Sequence, residues 1–101
     1  MDLFEDYIDF TKSLNKNVRF YREHVKNKYD SLHIYFPNNY GVMVIIRPDT
    51  SKLKKLDCAV IKYSNEFDFW ILSDNKKLQN MSMNIETKDD IFNLIKLIKE
   101  V

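Results

Sequence analysis

The sequence predicts an α+β domain: an N-terminal helix, an antiparallel sheet of four to five strands built from two hairpins, and a C-terminal helix, with the helices packed on one face. Three observations carry this. Apolar residues recur at helical spacing at both ends of the chain, they alternate at strand spacing through the middle, and the connections there are too short for parallel crossovers. The chain has 101 residues, 45% of them hydrophobic and 31% charged. That supports a single domain over 1–101 with one core and excludes wholesale disorder.

Residues 2–16 read as a helix, with Leu3, Phe4, Tyr7, Ile8, Phe10 and Leu14 on its apolar side. Asp2 is placed to cap it with Glu5 as the reciprocal acid, and the acids early and Lys12 and Lys16 late suit the helix dipole. Residues 17–29 fit either period, but their β-branched and aromatic content favours a strand. Leu32, Ile34 and Phe36 alternate with His33 and Tyr35. Pro37-Asn38-Asn39-Tyr40-Gly41 is turn chemistry and Val42–Arg47 a continuous apolar strand, so 31–47 reads as a hairpin. Residues 48–56 read as a polar, lysine-rich connection. A second hairpin pairs Cys58–Tyr63 with Phe67–Leu72 through Ser64-Asn65-Glu66, and alternating Met81, Met83 and Ile85 suggest a short extra strand. Thr87 caps a final helix that buries Ile91, Leu94, Ile95 and Ile98.

Lys plus Arg number 16 against 15 Asp plus Glu, a net charge of +1. This excludes a highly acidic nucleic-acid mimic and a strongly basic nucleic-acid binder. No apolar run approaches the roughly 20 residues of a membrane helix. The acidic start (Asp2, Glu5, Asp6, Asp9) is unlike a secretory signal. A lone cysteine, Cys58, rules out an intrachain disulfide and favours a reducing compartment, so a cytoplasmic location is expected. Lysine, asparagine and isoleucine are abundant, while Ala59 and Gly41 are single occurrences. Those are residues of AT-rich codons, pointing to a low-GC bacterium or its mobile elements.

Catalytic chemistry has little to stand on. His24, His33 and Cys58 are too few and too widely spaced for structural zinc. As a Cys–His nucleophile pair they lack an orienting residue, and a cysteine beside Ala59 and Val60 is usually packed and inert. One glycine cannot build a phosphate cradle. Asp89-Asp90 sits at a helix start, where the dipole favours acids. No cofactor, metal or catalytic residue is expected.

Two charged clusters suggest binding. Lys12, Lys16, Arg19, Arg22, Lys26 and Lys28 interleave with Phe20 and Tyr21, a mix that can hold a phosphate backbone and stack bases. The same residues suit a solvated helix end and a protected edge strand. Asp2, Glu5, Asp6 and Asp9 fall at i, i+3, i+4 and i+7, one stripe of the first helix. It is either its wet side or a patch that steers a basic partner.

The sheet is more informative. Leu32, Ile34, Phe36, Val42, Val44, Ile46, Phe67, Phe69 and Ile71 can supply the face under the helices. The alternate positions are Tyr35, Met43, Ile45, Trp70 and Leu72, with His33, Arg47 and Asp68. Two helices do not cover both faces, so the second face is expected to be an interaction surface anchored by Tyr35, Met43, Arg47 and Trp70. The other ways to bury it are a fold-over of 17–29, 48–56 or 73–86, or a second copy of the chain.

Asn38-Asn39-Tyr40-Gly41-Val42-Met43-Val44, then Asp57-Cys58-Ala59-Val60-Ile61 and the capped final helix, resemble a group of small phage proteins. That group carries an Asn-Gly-Tyr-Gly-x-Ser-Val turn-strand, a downstream Ala-Val strand and a C-terminal helix after a Thr-rich cap. The similarity spans residues 32–101. This chain lacks the first glycine, has Met43 in place of serine, and has Asp49–Leu56 in place of a glycine-rich connection. The N-terminal helix has no counterpart in that group. No functional residue carries over. The resemblance implies a phage or prophage origin, and small phage proteins of this size often inhibit host defences, anti-CRISPR proteins being the best-known case. The expected function is therefore a phage-encoded stoichiometric inhibitor that blocks a CRISPR effector, its partner being a host protein or ribonucleoprotein complex. The alternatives are a nucleic-acid-binding module using residues 12–28, or an immunity protein or antitoxin that neutralises a toxin.

Overall fold

The computed structural model describes residues 4–48, 54–65, 68–71 and 75–100. The elements run α1 (Glu5–Leu14), β1 (Arg19–Val25), β2 (Tyr29–Tyr35), β3 (Tyr40–Pro48), β4 (Lys54–Asn65), β5 (Asp68–Ile71), α2 (Lys76–Met83) and α3 (Lys88–Lys99). The sheet is antiparallel throughout, in the order β1-β2-β3-β4-β5. The α+β class and the one-sided placement of the helices are as expected, but the described residues form three helices instead of two.

α1 buries Tyr7 and Thr11, next to the buried Phe4 that precedes it, and the Thr11 hydroxyl donates to the Tyr7 carbonyl at 2.6 Å. It stops at Asn15, where the backbone turns extended and the Asn15 side chain accepts the Asn17 N–H at 2.8 Å. That local bond competes with helix continuation. The Asp2 cap lies outside the described residues.

Residues 17–29 are not one strand. β1 ends at Val25, whose carbonyl accepts the Lys28 N–H at 3.0 Å, and Asn27 takes φ 63°. Asparagine enters this left-handed region at low cost. The second turn has the same logic. Asn39 takes φ 71°, its N–H donates to Phe36 O at 3.2 Å, and Pro37 presets the first turn position. Asn38 then ties this turn to α3 by donating to the Ile98 carbonyl at 2.9 Å.

Gly41 opens β3 by necessity. A Cβ there would stand 2.4 Å from the Ile34 carbonyl oxygen, closer than any side chain tolerates. β4 is longer than the expected Cys58–Tyr63. Its first residues pair with the end of β3 (Pro48↔Lys54, Arg47↔Lys55, Ile46↔Leu56), so part of the expected connection 48–56 is strand and 49–53 lies outside the described residues.

The extra strand expected at 81–85 is instead α2. Asn75 caps it by accepting the Leu78 N–H at 3.2 Å, and Leu78 enters the core while Met83 is 75% exposed. The segment Lys76–Met83 has no β-branched residue, which removes the main resistance to a helix. α3 carries the full capping box, Thr87 and Asp90 each accepting the other's backbone N–H, and it buries Ile91, Leu94, Ile95 and Ile98.

One core joins all three helices to one face of the sheet. Phe4 and Tyr7, Leu78, and the four α3 residues meet Leu32, Ile34, Val42, Val44 and Val60. α3 lies against β3, α2 against β4, and both α1 and α2 against α3. Burying each large aliphatic side chain contributes about 1.5–3 kcal/mol.

Candidate interaction surface

The helix-free face follows from the strand pairing, since residues directly opposite share a face. One row across it is Tyr21, His33, Met43 and Ala59; the next are Arg19, Tyr35, Gly41 and Ile61, and Glu23, Ser31, Ile45 and Asp57. Phe69 pairs with Tyr63 and joins them from β5.

This face covers much of itself. Tyr35 on β2 and Tyr63 on β4 meet edge-on at 4.8 Å, reaching across β3 where Gly41 has no side chain. His33 on β2 and Phe69 on β5 meet at 5.2 Å and 86°. In a flat sheet those strands would lie three spacings apart, about 14 Å. The sheet is therefore curled with its helix-free side concave, and small residues in the trough, Gly41 and Ala59, let rings from the flanking strands touch above them.

Several expectations change as a result. Tyr35 is 1% exposed, so it belongs to the core of this face and not to a contact surface. Its hydroxyl shares a hydrogen bond with His33 Nδ1 at 2.9 Å. His33, 5% exposed, sits edge-on to Tyr21 as well, and burial holds its pKa below the usual imidazole value against the opposing pull of Glu23. The Ser31 hydroxyl beside it is buried with no hydrogen-bond partner among the described residues. The expectation that an outside partner must cap the whole second face gives way to this ring packing. Met43 and Ile45 remain half-buried on it. Arg47 stands at its rim, paired with Asp57 at 2.6 Å.

Trp70 lies on the other face from Met43 and Arg47. It pairs with Lys62, which follows Val60 on the helix side, so Phe69 and not Trp70 shares the ring cluster. This is the opposite phase to the expected one, in which Phe69 and Ile71 lay under the helices. A one-residue change of phase exchanges faces for every side chain of a strand. Trp70 is 50% exposed on an edge strand. Beside it Lys62 sets its ammonium 5.5 Å from the Tyr40 ring centre. Phe67 and Leu72 lie outside the described residues.

The charged clusters are placed as follows. Glu5, Asp6 and Asp9 are exposed on α1, but Asp6 is held by Lys88 of α3 at 2.7 Å; Asp2 is outside the described residues. The basic residues do not gather. Lys12 stands over Phe20 and Arg22 over Phe4, both on the helix side. Arg19 belongs to the helix-free face, Lys16 follows α1, and Lys26 and Lys28 occupy the β1–β2 turn at the far end of the strand. His24 pairs with Asp30. Cys58 faces the helices, and burial, then the nearby Asp57, pushes its thiol up to about 12. Among the described residues no three His, Cys, Asp or Glu gather as a metal site, and no helix is long and apolar enough to cross a membrane.

Sequence reasoning missed α2 and the phase of β5. Asn75 three residues before Leu78, with Leu78 and Met81 at helical spacing, was the available signal for the helix. The phase had none, because the bulge between Tyr63 and Asn65 sets it. Comparison with protein-family models, curated proteins and solved structures gave no match to this chain.

Proposed function

We propose that the protein works by stoichiometric binding, as a phage-encoded inhibitor that occludes a bacterial defence complex, a CRISPR effector in the first instance, with Trp70 as the anchor. The observation that supports this reading is the half-exposed indole on the last strand of the sheet. Tryptophan buries more area per contact than any other side chain and dominates interface energetics when a partner desolvates it. The Lys62–Tyr40 stack next to it offers a cation and a ring face to the same partner. Met43 and Arg47 stay on the opposite, helix-free face and do not join this patch, while Glu5 and Asp9 on α1 can steer the protein toward a basic nucleic-acid channel.

The test is co-purification with defined CRISPR effectors. The reading expects a complex of fixed stoichiometry that resists moderate salt, because its centre is apolar. Recovery of no effector subunit, or affinity for nucleic acid that falls steeply with salt and is lost in Arg19→Ala/Arg22→Ala, overturns it in favour of another class.

A further inference from the structure

β1 is the first strand of the sheet and pairs with β2 alone among the described residues. Its side chains are exposed or half-buried along its whole length, and Tyr21 is 41% exposed. Such an edge presents a row of backbone donors and acceptors that another strand can pair with.

We infer that β1 pairs antiparallel with β1 of a second copy, about a two-fold axis through Tyr21, joining two sheets into one of ten strands. The charge pattern selects this arrangement. A two-fold axis perpendicular to the sheet keeps each face on its own side, so the axis must pass through a residue position. Three such registers pair five or more residues of β1. Centred on Arg22, the axis sets Arg22 against itself; centred on Glu23, it sets Glu23 against itself. Centred on Tyr21, it sets Arg19 opposite Glu23 of the second copy and Glu23 opposite its Arg19, with the two Tyr21 rings between them. Opposite charges directly across a strand pair stabilise it and like charges oppose it. Charges that would blunt an edge against other strands thus match in one register of self-pairing. Only five residues a side take part, so the dimer is weak and dependent on concentration. It leaves β5 and Trp70 open at both ends of the joined sheet and stands independently of the proposed target.

Sedimentation velocity from 10 µM to 1 mM tests this on the full chain. The average mass should rise from 12.2 kDa toward twice that value. Glu23→Arg should abolish the rise, and Arg19→Glu/Glu23→Arg, which exchanges the two charges, should restore it. In a Cys58→Ala background, Tyr21→Cys should form a disulfide-linked dimer on mild oxidation, since facing Cα atoms lie about 4.5–5.5 Å apart. Glu23→Cys should not, because its two copies would be about 13 Å apart along the strands. A constant 12.2 kDa with no Tyr21→Cys cross-link overturns the inference. So does unchanged dimerisation of Glu23→Arg, or failure of the double reversal to restore it.

Discussion

The Tyr63 hydroxyl donates a hydrogen bond to the Phe36 carbonyl, 27 residues earlier in the chain. The same carbonyl accepts the Asn39 N–H, and the Asn39 carbonyl accepts the Tyr63 N–H at 3.0 Å. The far end of β4 is thereby laced to the β2–β3 turn, and the Tyr63 ring is held over Tyr35. Tyr63→Phe should lose about 1 kcal/mol of stability with the fold intact. Urea unfolding measures it; a midpoint equal to wild type would show that the bond carries no net stability.

Gly41 makes that ring contact possible and leaves no room for a methyl group, because the obstacle is the Ile34 backbone carbonyl. Gly41→Ala should cost about 2–3 kcal/mol through displacement of β2 from β3. A thermal melt indistinguishable from wild type would contradict the close approach.

His33 gives the protein an acid-sensitive face. Burial lowers its pKa in the folded state. The unfolded chain therefore takes up the proton first as pH falls through about 6.5. From there down to the folded value the unfolded state binds more protons, so stability drops with falling pH; above about 7.5 the residue contributes no slope. Urea midpoints between pH 8 and 5 should fall more steeply in wild type than in His33→Phe, and parallel curves would refute the assignment.

Cys58 should be silent. Its thiol is raised to about 12 and faces the helix core, so little thiolate exists at neutral pH. Because the thiol is half-buried as well as raised, a colorimetric thiol reagent at pH 8 should react far more slowly with the native protein than after denaturant is added. Rapid reaction of the native protein would mean that the β4–helix contact opens readily.

What the sequence made legible follows from the range of the forces involved. The α3 capping box and its buried stripe were readable because Thr87, Asp90 and Ile91 act within one turn. The Asn39–Gly41 turn was readable for the same reason. α2 was misread because Met81, Met83 and Ile85 alternate as in a strand while Leu78, Met81 and Ile85, which pack on the core, recur at helical spacing, and Asn75 settles which applies. Trp70 is half-exposed but was assigned to the wrong face, because the phase of β5 depends on a bulge in its partner strand. Tyr35 was expected at the surface because ring packing across Gly41 depends on curvature, which no local pattern encodes.

Titration of a purified CRISPR effector with wild type and Trp70→Ala tests the central claim most directly. The half-exposed indole contributes little to the core, so the variant should keep the wild-type melting curve while binding falls at least about 30-fold, the loss typical of an interface hot spot. Wild-type binding retained in Trp70→Ala would contradict the account, as would no binding by either protein.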